Sequence, residues 1–199
     1  IHPLQLALDV QGAMGDGDWL VIDGGNTHFW SEIAVNIAGF QGKKLGGILH
    51  PGTFSLLGVG VSFAVSAKNV DPNRNVVLIS GDGAFLSGGL SIEAAFQENR
   101  PIVVVIDNNG GLDCISQQQE RLFASGTHYA TDFRDIPFHA MFEGLGGHGE
   151  LVTRREDIIP AVQRAMASGK TACVNVKVKG VISPIVLATT SKRDKASIE

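Results

Sequence analysis

The sequence has few cysteines, no excess of basic residues and no long apolar run, and these absences exclude several classes of protein. The 199 residues include two cysteines, Cys114 and Cys173, too few for a disulfide framework or a structural zinc site. Lysine and arginine total 16 against 20 for aspartate and glutamate, so the chain lacks the basic excess of nucleic-acid-binding domains. The longest apolar runs, residues 102–106 and 181–187, are too short to cross a bilayer. We therefore expect a cytoplasmic protein with reduced thiols and with no nucleic-acid or membrane partner.

Short apolar runs alternate with segments of helical periodicity. Strands are predicted at residues 19–23, 76–80, 102–107, 150–152 and 172–178. Helices are predicted at residues 4–14, 28–38, 55–68, 90–99, 136–144 and 153–168, the last opened by a capping box of Thr153 and Glu156. Because the strands are apolar throughout, both sheet faces must be covered, as in a doubly wound, mainly parallel α/β sheet with helices on both faces. We predict one domain over residues 1–185 and a polar C-terminal tail at 186–199.

Three of the predicted strands end in polar, glycine-rich loops, at residues 24–27, 81–83 and 108–111. Ligands of such sheets bind beyond the carboxyl ends of the strands. The segment between the second and third of these loops is a helix followed by a strand, which forms a right-handed crossover. The loops at 81–83 and 108–111 are therefore expected to lie side by side.

These two loops carry oxygen donors suited to a divalent cation. Asp82 offers a carboxylate, and Asn109, 27 positions later (109 − 82 = 27), offers an amide oxygen. Gly111 offers a backbone carbonyl with no side chain in the way. Three oxygens at one rim, completed by water or phosphate oxygens, suit Mg²⁺ or Ca²⁺.

The same loops offer groups that bind phosphate. Gly81 and Gly83 allow backbone amides to approach an anion closely, and a helix predicted to begin after Phe85 would point its free N–H groups at the same place. An anionic diphosphate bridged to the protein by a metal ion is the ligand that this pattern favours.

The arrangement Gly81-Asp82-Gly83 followed by Asn108-Asn109 resembles the GDG…NN signature of thiamine-diphosphate-dependent enzymes. Residues 1 to about 180 resemble the C-terminal domain of the acetolactate synthase group, which includes 2-hydroxyacyl-CoA lyases and oxalyl-CoA decarboxylase. The resemblance implies the thiamine-diphosphate-binding fold, thiamine diphosphate as cofactor, and Mg²⁺ or Ca²⁺ held by Asp82, Asn109 and Gly111. The cofactor-binding residues that it implies are Asn26, Thr27, Gly81, Gly83, Ala84, Phe85, Asn109 and Leu112.

Residues 52–60 resemble the segment that forces the cofactor into its bent conformation. The family places a bulky apolar wedge 25 positions before the metal aspartate, which here is Leu57 (82 − 25 = 57). The resemblance implies that Leu57 presses the 4′-amino group of the pyrimidine toward the thiazolium ring, and that the backbone carbonyl of Ser55, where glycine is usual, accepts a hydrogen bond from that amino group. Core packing on a helix is the alternative for Leu57.

The resemblance also implies an incomplete site, since the family's activating glutamate lies on a separate pyrimidine-binding domain that nothing in this sequence resembles. We therefore predict the diphosphate-binding domain or subunit of a C–C lyase or carboligase acting on a 2-oxo acid or a 2-hydroxyacyl-CoA. A pyrimidine-binding domain or subunit would supply the glutamate in a homo- or hetero-oligomer. The alternatives are the small subunit of a two-chain 2-oxo acid decarboxylase resembling sulfopyruvate decarboxylase, or a non-catalytic subunit retaining the fold. The start at Ile1 favours a piece of a longer chain.

A few further residues invite two interpretations each. His28 and His50 are candidates for an acid or base facing the substrate, or are structural. Cys114 is expected to be a small buried apolar residue rather than a nucleophile. Asp18, near Asp16, is expected in a solvated turn. The tail around Lys192, Arg193 and Lys195 could close over the site or bind a CoA phosphate, or be solvated.

Overall fold

The computed structural model describes residues 1–123 and 126–189. Six strands form one sheet in the order β2-β1-β3-β4-β6-β5, and every neighbouring pair is parallel. The strands are β1 (Trp19–Asp23), β2 (Gly47–Leu49), β3 (Val76–Gly81), β4 (Val103–Asn108), β5 (His148–Val152) and β6 (Ala172–Lys177). The prediction of a parallel α/β sheet is confirmed.

Helices pack on both faces of this sheet. They are α1 (Pro3–Ala13), α2 (Asn26–Phe40), α3 (Gly60–Val70), α4 (Asp82–Gly88), α5 (Glu93–Gln97), α6 (Asp113–Leu122), α7 (Phe138–Gly144), α8 (Ile158–Ala167) and α9 (Pro184–Thr189). Short 3₁₀ turns lie at Gly52–Phe54, Gly89–Ile92 and Arg155–Asp157. No helix among the described residues combines the length and apolarity needed to cross a membrane.

The alternation of side chains along each strand divides the core into two layers. Leu20 and Ile22 of β1 pack in one layer with α1 and α8, whereas Val21 packs in the other with α3 and α7. Because β3 and β4 are buried along their whole length, both of their faces must be apolar, and runs of Val and Ile satisfy this requirement.

Several boundaries differ from the sequence predictions. Strand β2 was not predicted, since three residues give no periodicity, and α6 was not predicted, because its sequence is mostly polar. The helix predicted at residues 55–68 begins only at Gly60, and residues 55–59 are irregular. Of the helix predicted at residues 90–99, residues 90–92 belong to a 3₁₀ turn and only Glu93–Gln97 is α-helical.

The predicted capping box is wrong. No side chain caps the turn at Arg155–Asp157 or helix α8, and the helix begins at Ile158. The charged residues are engaged elsewhere: Arg154 forms a bidentate pair with Asp157 at 2.8 and 3.0 Å, and lies 3.5 Å from Glu156. Ion pairing of Glu156 therefore replaces the bond to the N-cap amide that the sequence suggested.

Asp18 does not lie in a solvated turn. Its side chain is buried and accepts hydrogen bonds from the amide of Gly15 at 2.7 Å and of Asn75 at 3.3 Å. The residue joins the turn before β1 to the turn before β3, so its role is structural. Residues 192–195 lie outside the described residues, and α9 runs across the predicted division between 185 and 186, which remains a prediction.

Candidate functional site

A cavity of ≈ 300 Å³ lies at the carboxyl ends of β1, β3 and β4, the three central strands that end in glycine-rich loops. The parallel sheet brings these ends to one edge, and the loops after β3 and β4 lie side by side, as the crossover argument predicted. Eleven of the twelve predicted site residues line the cavity: Asn26, Thr27, Ser55, Leu57, Gly81, Asp82, Gly83, Ala84, Asn109, Gly111 and Leu112.

Phe85 is the predicted site residue that does not line the cavity. Its side chain is 3% exposed and packs against the rings of Phe138 and Phe142, with centroids 5.7 and 5.8 Å away. The ring therefore anchors α4 in the core. Helix α4 begins at Asp82 itself, not after Phe85 as the sequence suggested.

Asp82 is the buried centre of the site. One carboxylate oxygen accepts the amide of Gly83 at 2.7 Å, and the other accepts the amides of Gly110 at 2.8 Å and Gly111 at 3.1 Å. The carboxylate therefore ties the loop after β3 to the loop after β4. Burial raises the pKa of Asp82 to about 6, and the three amides oppose that shift.

The loop after β4 is held against a neighbouring segment of chain. A Cβ on Gly111 would overlap the carbonyl oxygen of Thr131, so only glycine can occupy this position without a shift of the backbone. The amide of Gly111 also donates to the side-chain oxygen of Asn109 at 3.2 Å. Asp82, Asn109 and Gly111 thus meet at one rim of the cavity, as predicted.

Two further carboxylates lie close by and were not predicted. Asp107 is fully buried near the end of β4, where burial raises its pKa to about 7, and Asp113 begins α6, where burial raises its pKa as well. The charges of Asp82 and Asp113 raise the pKa of Asp107 further. Neither aspartate was identified from the sequence, because Asp107 was assigned to a strand and α6 was not predicted.

Helices α2 and α6 begin at the wall of the cavity, as α4 does at Asp82. Helix α2 begins at Asn26 after Gly25, and α6 begins at Asp113 after Leu112; neither has a side-chain cap among the described residues. The first amides of such helices have no partner within the helix and attract anions. The sequence placed Asn26 and Thr27 in a loop, which is wrong, since both belong to the first turn of α2.

The side chains of Asn26 and Thr27 are already engaged within the protein. The amide of Asn26 donates to Asp113 at 3.3 Å and to Gln117 at 3.1 Å, and its oxygen accepts the amide of Ser183 at 3.0 Å. Thr27 donates its hydroxyl to Asp107 at 2.8 Å. Both side chains therefore join α2 to β4, α6 and the chain before α9, and leave the backbone of α2 to face the cavity.

The bond between Thr27 and Asp107 should contribute measurably to stability. Thr27→Val keeps the shape but removes the donor from a buried carboxyl group, so we expect the free energy of unfolding to fall by about 1–3 kcal/mol. Urea denaturation measures the change. Thr131→Val is the matched control, because its buried hydroxyl has no partner among the described residues and its loss should be neutral or slightly stabilising. Equal effects of the two variants would contradict the assignment.

The segment between the 3₁₀ turn Gly52–Phe54 and α3 forms another wall of the cavity. Ser55 has a φ of 48°, in the left-handed region, and Leu57 is 37% exposed with its side chain at the cavity. Leu57 lies outside any helix and outside the two core clusters. Core packing on a helix, the alternative for Leu57, is therefore wrong.

Asp23, at the end of β1, fixes the far end of this segment. One carboxylate oxygen accepts the amides of Gly58 at 3.0 Å and Gly60 at 2.7 Å. Gly58 has a φ of +90° and lies against the backbone of Gly88. The position of Leu57 is thus set by a buried carboxylate and by a close contact between two glycines, neither of which the sequence indicated.

Cys114 and His28 also reach the cavity wall. Cys114 is half-buried, and burial raises the pKa of its thiol, which disfavours a nucleophilic role. Cys114 is therefore not the buried residue that the sequence suggested, whereas Cys173 lies in the core. His28 is buried and forms a 3.0 Å contact with Glu32 one turn further along α2.

Comparison with known proteins gives a consistent result. Residues 23–176 match the family described as the C-terminal TPP binding domain of thiamine pyrophosphate enzymes, thiamine pyrophosphate being another name for thiamine diphosphate. The chain is 34% identical over 178 residues to a probable acetolactate synthase of Mycobacterium bovis, covering 88% of this chain and 31% of that protein. It is 27% identical over 181 residues to 2-hydroxyacyl-CoA lyase 2 of Homo sapiens, covering 88% and 28%.

A solved structure agrees with these sequence matches. The thiamine diphosphate-dependent 4-hydroxybenzoylformate decarboxylase of Rhodococcus jostii superposes with a TM-score of 0.72 at 26% identity, covering 92% of this chain and 33% of that one. This chain therefore spans a third or less of the length of each of these three proteins.

Proposed function

The chain belongs to the family of C-terminal TPP-binding domains of thiamine pyrophosphate enzymes, and from this we propose that it forms the diphosphate- and metal-binding half of a C–C lyase or carboligase. The substrate class that we propose is a 2-oxo acid or a 2-hydroxyacyl-CoA, because the similar proteins are named as a probable acetolactate synthase, a 2-hydroxyacyl-CoA lyase and a 4-hydroxybenzoylformate decarboxylase. The substrate in the last of these names is itself a 2-oxo acid. A cytoplasmic location remains part of this proposal.

The observation that carries the proposal is the junction at Asp82. Asp82, whose carboxylate is 2% exposed, lies with Asn109 and Gly111 where two strands end, and the amide of Gly111 donates to both side chains. The hard oxygen donors suit Mg²⁺ or Ca²⁺, and a divalent cation would offset the repulsion among Asp82, Asp107 and Asp113. We propose Asp82, Asn109 and the carbonyl of Gly111 as the protein's ligands to that cation.

The cavity walls around Asp82 carry groups that could bind the rest of the cofactor. The uncapped N-termini of α2 and α6 offer amides to the diphosphate. Ser55 and Leu57 line the cavity, where Leu57 would offer an apolar contact and the carbonyl of Ser55 would accept a hydrogen bond from the pyrimidine amino group. When bound, thiamine diphosphate supplies the carbon centre at which the bond next to a carbonyl is made or broken.

We further propose that a pyrimidine-binding domain or subunit covers this side of the cavity and supplies the activating glutamate. The support is the apolar surface beside the wedge: four large side chains on the segment around Leu57, on α4 and on the following 3₁₀ turn are 46–95% exposed, namely Phe54, Leu56, Leu86 and Leu90. The two segments that carry them meet at Gly58 and Gly88, and large apolar side chains exposed in one region are typical of a protein interface. Burial of these side chains would close the open side of the cavity.

The experiment is a calorimetric titration of thiamine diphosphate with Mg²⁺ into the chain alone and into the chain co-purified with its partner. We expect metal-dependent binding that is strong only in the assembled form. The assembled form is then assayed for CO₂ release from 2-oxo acids and for cleavage of 2-hydroxyacyl-CoA.

The outcomes separate the alternatives. Turnover with a partner that carries only the pyrimidine-binding domain would indicate a two-chain decarboxylase. Cofactor binding without turnover of either substrate class would contradict the lyase or carboligase assignment. Absence of binding in every assembly would leave a non-catalytic subunit that retains the fold.

A further inference from the structure

Beside the cofactor cavity, two histidines and a glutamate converge from two separate elements. His28 and Glu32 lie one turn apart on α2, and His50 follows β2. The His28 Nε2 is 3.0 Å from the Glu32 carboxylate, and the His50 Nδ1 is 4.0 Å from the same oxygen. One ligand atom from each residue lies within 4.8 Å of the other two.

This spacing is close to that of a zinc site. Bonds of about 2.0–2.1 Å to a tetrahedral Zn²⁺ place ligand atoms about 3.3 Å apart, so closure requires a movement of about an ångström. Imidazole nitrogens with one carboxylate suit Zn²⁺ and its transition-metal neighbours. The oxygen-only set around Asp82 suits Mg²⁺ or Ca²⁺, so the two sites differ in the ions that they select.

Two of the three residues are held in place by the fold. The helix fixes His28 and Glu32 on one face, and the ring of His28, 5% exposed, stacks on Phe29 at 5.4 Å with an interplanar angle of 2°. His50 accepts the amide of Gly52 at 3.2 Å, a bond that an ion on the same nitrogen would replace. Glu32 and His50 are 37% and 38% exposed, which leaves a path for the ion and room for a water ligand.

We propose that His28, Glu32 and His50 form a second metal site, for Zn²⁺ or a similar transition-metal ion, distinct from the oxygen-ligand site at Asp82. The ion would join α2 to the chain that leads from β2 into the segment of Ser55 and Leu57. Its occupancy would therefore restrain the wall of the cavity on which the cofactor bends. This inference does not rest on the proposed function, because it concerns side chains that meet without any cofactor.

The test uses Co²⁺ as a visible substitute for Zn²⁺, in the cofactor-free chain with excess Mg²⁺ and in the Asp82→Asn background. A four- or five-coordinate Co²⁺ ion with nitrogen ligands gives intense visible absorption, whereas a six-coordinate ion with oxygen ligands gives a pale spectrum. We expect intense bands that Zn²⁺ abolishes by displacement. His50→Ala and Glu32→Gln should each weaken Co²⁺ binding by at least about tenfold, because loss of a ligand exceeds the effect of losing an outer-shell partner.

Both variants alter half-exposed side chains, so the fold should persist, and circular dichroism checks it. His128→Ala is the matched control: this histidine also contacts carboxylates, Glu120 and Asp132, both at 2.8 Å, but on opposite ring nitrogens. It should leave the bands unchanged. A pale spectrum in the Asp82→Asn chain, or bands that survive both His50→Ala and Glu32→Gln, would overturn the proposal.

Discussion

Replacement of Asp82 with alanine should abolish metal-dependent binding of thiamine diphosphate. The change removes one of three proposed ligands and also releases the amides of Gly83, Gly110 and Gly111, which hold the two loops together. Loss of an outer-shell partner costs 10–100-fold in metal affinity, so loss of this central ligand should cost more than about 100-fold. Calorimetric titration of the cofactor with Mg²⁺ into the assembled protein measures the loss.

The control for this variant is Asp16→Ala, which removes an exposed carboxylate from the turn before β1. It should leave the affinity unchanged, which separates a ligand effect from a change in net charge. Binding by Asp82→Ala within a few-fold of the unaltered protein would mean that the proposed ligand set is wrong. A large fall in the unfolding temperature of Asp82→Ala would instead show that the two loops need this carboxylate to fold. Thermal unfolding is therefore recorded beside the titration.

Replacement of Gly88 with alanine should displace the segment that carries Leu57 while the core of the protein stays folded. The new Cβ would overlap the carbonyl oxygen of Gly58 and lie 2.9 Å from its carbonyl carbon. Because both partners are backbone, no rotamer change can relieve the overlap, so the segment that carries Leu57 must move. We expect the free energy of unfolding to fall by about 1–3 kcal/mol, as for other overpacked sites. We also expect cofactor affinity to fall by at least about tenfold, since the wall that bends the cofactor moves and misplacement of about 1 Å is costly.

Gly39→Ala is the matched control, because it is the same chemical change in a helix. A Cβ on Gly39, near the end of α2, meets nothing within 4 Å. It should raise stability by up to about 1 kcal/mol through the better helix propensity of alanine, and leave cofactor binding unchanged. Unaltered cofactor affinity in Gly88→Ala would show that the position of Leu57 does not matter for binding.

Much of the fold could be predicted because its signals are local. The run at β1 gave the strand with both ends correct, and β3, β4 and β6 were each placed within one residue, since a strand buried on both faces must be apolar throughout. Helix ends were less certain. Helix α4 begins at Asp82 because the last strand residue passes directly into a helical turn, and no capping residue announces that start.

The candidate site likewise contains residues that could be predicted from the sequence and residues that could not. Asp82, Asn109 and Gly111 could be placed together because a right-handed crossover brings consecutive parallel strands to one edge. Phe85 could not be assigned correctly, because its position on one side of α4 depends on where that helix begins. Asp107 could not be identified because an aspartate near a strand end has many possible roles, and Asp113 could not because the helix that it begins was not predicted.

The sequence by itself determined the parallel sheet, the neighbouring positions of the loops after β3 and β4, and the edge at which the oxygen donors collect, since each follows from periodicity and chain direction. The tertiary structure alone decided how the cavity wall is held: Asp23 binds a segment 35 residues away, and Gly58 meets Gly88. It also decided that His50 meets His28 and Glu32. These contacts join residues from separate elements, and only the packing of those elements on the sheet sets the distances between them.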